Sequence, residues 1–124
     1  MSSFNLENKL ALITGAASGL GLATATLFAS QGADLALADI SPKVAEVAAD
    51  LKSKYPKLGI SAHVYDLTVG SNVEKLFEEI KQQHEKYASP TVLVNSAGIA
   101  RAVPLVNQTE KDFDEMINTN LKVL

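Results

Sequence analysis

With 124 residues the chain has room for one domain and a modest core. A hydrophobic content of 47% with 20% charged residues excludes an intrinsically disordered chain, and a net charge of −3 without any basic run excludes a nucleic-acid footprint. The absence of cysteine excludes disulfides, thiolate catalysis and cysteine-ligated metal; no apolar stretch is long enough to span a bilayer, and Met1 to Lys9, without arginine, resembles neither a secretory signal nor a typical mitochondrial presequence.

Short apolar runs alternate with helical patterns. Leu10-Ala11-Leu12-Ile13, closed by Thr14-Gly15, reads as a strand buried on both faces. Leu20, Ala23, Leu27 and Phe28 then recur at helical spacing until Gly32 ends the helix. Leu35 to Ala38 is the second strand. Ser41 is expected to cap a second helix with Pro42 at its first position, burying Val44, Val47, Ala48 and Leu51. Ile60 to Tyr65 reads as a third strand. Ser71 and Glu74 are spaced as a capping box ahead of Val73, Leu76, Phe77 and Ile80. Val92-Leu93-Val94 is the fourth strand, and Thr109 with Asp112 opens a last helix with Phe113, Met116, Ile117, Leu121 and Leu124 on one face.

The order β-α-β-α-β-α-β-α with right-handed crossovers predicts an α/β fold of the Rossmann type: a doubly wound parallel sheet covered on both faces. No repeat, linker or low-complexity segment divides residues 1–124, which are expected to form one nucleotide-binding unit. Leu124 falls inside a helical pattern without a stop signal, and the fourth strand would be an apolar sheet edge. Both features predict a fold truncated after the fourth strand and part of the following helix.

Thr14-Gly15-Ala16-Ala17-Ser18-Gly19-Leu20-Gly21 joins the first strand to the first helix. Glycines there allow a tight turn, close approach of backbone to a pyrophosphate and close helix–strand packing, while the helix N-terminus offers N–H groups to the phosphates. A glycine-rich connection would suffice for the turn alone, but the strand before and the helix after give the dinucleotide context. Ser18 lies inside this loop as a possible donor to the pyrophosphate. Asp39 ends the second strand, with Ile40 beside it. A carboxylate there can accept both adenosine-ribose hydroxyls and repel a 2′-phosphate. No Arg or Lys neutralises it in the glycine loop or next to it, which favours NAD over NADP. Replacing Asp39 by Ala and adding Arg at Ala17 should reverse that preference. Asp66, followed by Leu67, ends the third strand, where its carboxylate could accept from the adenine amino group or simply form a turn.

These residues together resemble the short-chain dehydrogenase/reductase family over the whole chain. Thr14 to Gly21 matches the family's TGxxxGxG loop. Asn95-Ser96-Ala97-Gly98 matches its NNAG motif with Ser96 in place of Asn, and Asn118-Thr119-Asn120-Leu121 is similar to its NxNL segment. The resemblance implies cofactor contacts from Gly15, Ser18, Gly19, Leu20, Gly21, Asp39, Ile40, Asp66, Leu67, Asn95, Ala97 and Gly98. It also implies a catalytic role for Asn120, which would organise water beside a lysine in a Ser-Tyr-Lys-Asn tetrad. Asn120 lies on the apolar stripe of its helix pattern, where an unpaired amide would cost about 1–3 kcal/mol. The family's Tyr-x-x-x-Lys is absent: Tyr55, Tyr65 and Tyr87 are followed four positions on by Gly59, Val69 and Thr91.

Within the family, Ser89 to Ile99 and Glu110 to Asp114 resemble the branch that oxidises hydroxysteroids and 3-hydroxyacyl thioesters with NAD. That likeness implies a small-molecule substrate of one of those classes. It further implies a tetrameric parent, in one form assembled with an NADPH-using carbonyl reductase paralogue, and a mitochondrial matrix location with the cytoplasm as alternative.

Two other function classes compete with a dehydrogenase. A non-enzymatic nucleotide-binding or subunit-interaction module is compatible with the missing Tyr and Lys. An S-adenosylmethionine methyltransferase also carries glycines after its first strand, but not this loop spacing with the NSAG segment. A nucleotide kinase is excluded because no Lys follows the glycine loop. His63, in a strand, and His84, late in a helix, have no third ligand nearby in sequence, so no metal site is expected. Glu78, Glu79, Lys81 and Lys86 read as a solvated helix face, and Arg101 as a surface loop residue.

Overall fold

The computed structural model describes residues 5–96. The predicted last helix with Asn118 and Asn120, and also Ala97, Gly98 and Arg101, lie outside the described residues.

Elements follow the predicted alternation: β1 (Leu10–Thr14), α1 (Gly19–Ser30), β2 (Asp34–Asp39), α2 (Val44–Lys54), β3 (Ile60–Val64), α3 (Gly70–Gln83) and β4 (Val92–Asn95). The four strands form one parallel sheet in the order β3-β2-β1-β4. After β1 the chain winds outward to β2 and β3, then crosses to the other side of β1 for β4. That reversal is the topological switch point of a doubly wound sheet, and the crevice it opens lies beyond the carboxyl ends of the strands. Register brings those ends level: Thr14 pairs with Ala38 on one side and with Asn95 on the other.

Alternation along β1 and β2 divides the core in two. Ala11, Ile13, Leu35 and Leu37 face α1 and α2, whose Val44, Val47, Ala48 and Leu51 form the predicted stripe of α2. Leu10, Leu12, Ala36 and Ala38 face α3 through Leu76 and Ile80. Both faces of β1 are fully buried, as a near-continuous apolar run demands in a covered parallel sheet.

The structure departs from the sequence reading in three helices. Most of the expected stripe of α1 lies outward: Ala23 is exposed and Leu20 and Leu27 are 68% and 54% exposed. Of the stripe, only Phe28 packs partly buried against the core, whereas Gly21, Ala25 and Ala29 are buried against the sheet. Small residues at i, i+4 and i+8 let this helix sit close to the strands, and that close approach outweighs the larger apolar area of the leucines. In α2 the regular turns begin at Val44 and not at Pro42. Ser41 Oγ accepts from the Lys43 N–H at 3.2 Å, so the serine caps a preliminary turn. In α3 the Ser71–Glu74 box does not form, because the helix starts at Gly70 and Ser71 is already inside its first turn. Asn72 ties this helix start to the turn that follows β3, its Nδ2 donating to the Asp66 carbonyl at 3.0 Å. His84 is the residue that ends α3, and Lys86 lies beyond it.

Candidate cofactor site

Every described residue singled out as a cofactor contact lies at the carboxyl edge of the sheet. The glycine loop leaves β1, Asp39 ends β2 with Ile40 just beyond it, Asp66 and Leu67 follow β3, and Asn95 ends β4.

The glycine loop is shaped by two positions with different demands. Gly21, on the inner face of α1, has no room for a side chain: a Cβ would collide with the Gly15 carbonyl oxygen and lie 2.6 Å from its carbon. Gly19 has φ +57, and a Cβ there would meet nothing within 4 Å. It therefore leaves an open space at the mouth of α1 in a conformation that L side chains rarely adopt. Ser18 precedes the helix with extended backbone and makes no side-chain cap, so the first-turn N–H groups are not taken by its hydroxyl. Open space, uncapped amides and the positive end of a helix dipole suit a pyrophosphate. Leu20 projects outward from the same turn.

Asp39 holds two loops at once. Its Oδ2 accepts from the Ala17 N–H and its Oδ1 from the Ser41 N–H, each at 2.9 Å. The carboxylate is thereby drawn against the glycine loop, and the Ala16 N–H adds a bond to the Ala38 carbonyl at 3.2 Å. A carboxylate has about four lone-pair sites, so these two bonds leave capacity for ribose hydroxyls. Ile40 beside it is 67% exposed and offers an apolar surface at the rim. Ala17 is only 3% exposed. It has no space for the arginine that sequence reasoning placed there, and Ile40 is the position open to such a change.

Asp66 forms the turn that the sequence left as one of two readings: its Oδ1 accepts from the Thr68 N–H at 3.0 Å and from the Thr68 hydroxyl at 2.6 Å. Leu67 is partly buried and packs against the α3-side core. On β4, Asn95 Oδ1 accepts from the Thr14 hydroxyl at 2.9 Å, and the Ser96 N–H donates to the Thr14 carbonyl at 3.3 Å. The first residue of the glycine motif and the first of the NSAG motif are thus bonded across the switch point. Together the described residues fit an adenosine-diphosphate group at this edge.

Sequence reasoning missed a polar cluster on the α3 side of β3. His63 Nδ1 lies 2.7 Å from Glu79 Oε1, and Ser61 Oγ lies 2.7 Å from Nε2 of both His63 and His84. Tyr65 donates its hydroxyl to the other oxygen of Glu79. Glu79, its side chain 41% exposed, is therefore an anchoring residue at the edge of the solvated face and not simply part of it. The i, i+2, i+4 spacing of Ser61, His63 and Tyr65 put all three on one face of a strand and was the available signal. Among the described residues no group of three His, Cys, Asp or Glu side chains is placed to hold a metal, and no helix is long and apolar enough to cross a membrane.

This edge of a switch-point sheet defines a nucleotide-binding α/β class, and comparison with known proteins gives the family. Residues 9–124 match the short chain dehydrogenase family model. The chain belongs to that family. It is 40% identical over 121 residues to a 3-oxoacyl-[acyl-carrier-protein] reductase of Thermotoga maritima, covering 94% of this chain and 46% of the relative. It is 32% identical over 127 residues to a (3R)-3-hydroxyacyl-CoA dehydrogenase of Rattus norvegicus, covering 98% of this chain and 48% of the relative. Among solved structures it is similar to the L-sorbose reductase of Gluconobacter frateurii complexed with NADPH and L-sorbose, with a TM-score of 0.71, 25% identity and coverage of 92% of this chain and 42% of that one. The chain spans just under half the length of these relatives.

Proposed function

We propose that this chain binds NAD at the carboxyl edge of its sheet and forms the cofactor half of an NAD-dependent oxidoreductase acting on a hydroxy or keto substrate. The observation that carries the reading is the Asp39 carboxylate, held against the glycine loop by the Ala17 N–H, with no Arg or Lys in that loop or next to Asp39 in sequence. The family alone leaves the choice of nicotinamide cofactor open, since the Gluconobacter reductase is described with NADPH. Asp39 argues for NAD on electrostatic grounds: a 2′-phosphate would bring a second negative group to a carboxylate already committed to backbone donors.

In this reading the N–H groups at the start of α1 and the space above Gly19 hold the pyrophosphate, with Ser18 as a further donor. Asp39 accepts the ribose hydroxyls, Ile40 and Leu67 flank the adenine, Asp66 accepts from its amino group, and Asn95 borders the cofactor at the end of β4, with Ala97 and Gly98 assigned to it by the family resemblance alone. Bound NAD supplies the hydride acceptor. Asn120 would organise water for a proton path whose tyrosine and lysine do not occur in these 124 residues.

The substrate class we propose is a 3-hydroxyacyl thioester or a hydroxysteroid. The likeness to the branch of 17-beta-hydroxysteroid dehydrogenase type eight, the alpha subunit of mitochondrial 3-oxoacyl-acyl-carrier-protein reductase, supports it. So do the acyl-thioester names of the Thermotoga and rat relatives. A tetrameric parent in the mitochondrial matrix accompanies this proposal.

The test is binding and turnover on the 124-residue chain. Binding should be weak and similar for NAD, NADH and ADP-ribose, because every described contact serves the adenosine and pyrophosphate end. Turnover should be absent, because general acid catalysis by a placed side chain is worth roughly 10²–10⁴ in rate and no tyrosine here has its lysine. Oxidation of a 3-hydroxyacyl thioester by NAD faster than with a Gly19→Asp control would contradict the assignment of roles.

A further inference from the structure

The side chains on the α3 face of β3 form one continuous hydrogen-bonded row, and its protons can be counted. Tyr65 donates to Glu79, and Glu79 accepts from His63 Nδ1 at 2.7 Å. With that proton on Nδ1, neutral His63 presents an unprotonated Nε2. The single proton of the Ser61 hydroxyl then goes to His63 Nε2, and Ser61 Oγ accepts from His84 Nε2. Every donor has an acceptor, and the two imidazoles carry opposite tautomers.

One added proton can be taken up without breaking the row. His63 becomes an imidazolium paired with the Glu79 carboxylate and donates its Nε2 proton to Ser61. The hydroxyl turns to give its own proton to His84 Nε2, and His84 carries its proton on Nδ1. That nitrogen faces the side of the Asp34 carboxylate: a Cβ on Gly59 would lie 3.6 Å from both His84 Nδ1 and Asp34 Oδ1. A second added proton has no such solution. Both imidazoliums would point Nε2–H at Ser61, whose own proton would lose its acceptor, and two like charges would share a site in which His63 is 1% and His84 6% exposed.

We propose that Tyr65, Glu79, His63, Ser61 and His84 form a proton-reading latch that fastens α3 to β3, storing one proton and opening on the second. The charged groups that face the row are Glu78 and Glu79 on α3 and Asp34 on β2. On α3, burial pushes the Glu79 carboxyl up, but hydrogen bonds from Tyr65 and His63 outweigh this and hold it below its ordinary value. Glu79 and Glu78 in turn raise the Tyr65 phenol. His84 is lowered by burial, which the Asp34 carboxylate partly counters and His63 reinforces. Asp34, at the start of β2, is itself bonded to the Gly59 N–H at 2.8 Å and to the Tyr87 hydroxyl at 2.6 Å. Opening the latch frees the end of α3 and the turn that follows it, while Tyr65 links the row to the Asp66 turn at the helix's other end. The latch does not depend on the cofactor reading, since none of its side chains is assigned to the nucleotide.

Histidine nitrogen NMR on the 124-residue chain across pH 8 to pH 4, with amide exchange at each step, tests the latch. At the alkaline end His63 should carry its proton on Nδ1 and His84 on Nε2. The first proton should convert His84 to the Nδ1–H tautomer with the amides of Ile80 to Tyr87 still protected. The second should lower their protection about tenfold or more, the size expected when a buried hydrogen-bond partner is lost. Ser61→Ala should uncouple the two titrations, and Ser61→Thr should restore the coupling. Two histidines that titrate independently, both as Nε2–H tautomers when neutral, would overturn the proposal, and the wild-type spectrum alone decides this should Ser61→Ala fail to fold.

Discussion

Gly19 and Gly21 are separated by one residue and should fail in different ways. A methyl at Gly21 meets backbone at Gly15, so Gly21→Ala must push α1 off the sheet and should lower the melting temperature sharply. At Gly19 a methyl meets open space but must adopt φ +57, a left-handed conformation that costs about 1–2 kcal/mol. Gly19→Ala should therefore fold, with modestly reduced stability, and lose ADP-ribose. Thermal unfolding and calorimetric titration of the pair would expose an error if Gly21→Ala proved the more stable of the two. Asp39→Asn offers one acceptor oxygen where two N–H groups, of Ala17 and Ser41, now bond. Losing charged hydrogen bonds worth about 1.5–3 kcal/mol should weaken ADP-ribose binding roughly 10- to 100-fold. Asp39→Ala combined with Ile40→Arg should favour the 2′-phosphorylated ligand instead.

At the scale of elements, the helices show what a sequence pattern can and cannot decide. The stripe of α2 was legible because Val44, Val47, Ala48 and Leu51 are large or buried enough to dominate their helix. In α1 the same reasoning held for Phe28 but failed at Leu20, Ala23 and Leu27, since the leucines outweigh Gly21, Ala25 and Ala29 in any hydrophobic count while the small residues set the packing distance. Ala25→Leu should consequently cost about 1–3 kcal/mol or more through overpacking, whereas Leu27→Lys should change stability by no more than about 0.5 kcal/mol. Urea unfolding of both variants checks this, and a larger loss from Leu27→Lys would restore the sequence-based stripe. The strands, the glycine loop and the positions of Asp39 and Asp66 were readable because they depend on local order and on the rules of parallel crossovers. The bond of Asp39 to Ala17, the turn made by Asp66 and the row from Tyr65 to His84 were not, since each joins residues brought together only by the sheet.

For the whole molecule, pH acts through groups on the α3 side of the sheet. His84 has its folded pKa lowered by burial below its ordinary 6.5, so the unfolded chain binds the proton first. The stability from keeping His84 neutral is complete above pH 6.5 and is lost as pH falls through the lowered folded value. Glu79, also lowered, adds a further loss of the same sign below its ordinary 4.5. At the alkaline end Tyr87 is pushed up to about 12 by burial and by its bond to Asp34. Its contribution is complete below its ordinary 10.0 and is lost as pH rises toward 12. A stability profile from chemical denaturation should therefore form a plateau between these limits, and Tyr87→Phe should flatten its alkaline arm.

The proposed NAD-selective adenosine site runs along the carboxyl edge from the glycine loop to Asp66. The direct measurement is chemical-shift mapping of the chain titrated with ADP-ribose and, separately, with its 2′-phosphorylated form. ADP-ribose should shift the amides of Gly15 to Gly21, Asp39 to Ser41 and Asp66 to Thr68, and the 2′-phosphorylated ligand should bind more weakly, with the difference abolished in Asp39→Ala. Tighter binding of the 2′-phosphorylated ligand to the unaltered chain, or shifts confined to residues away from this edge, would contradict the account.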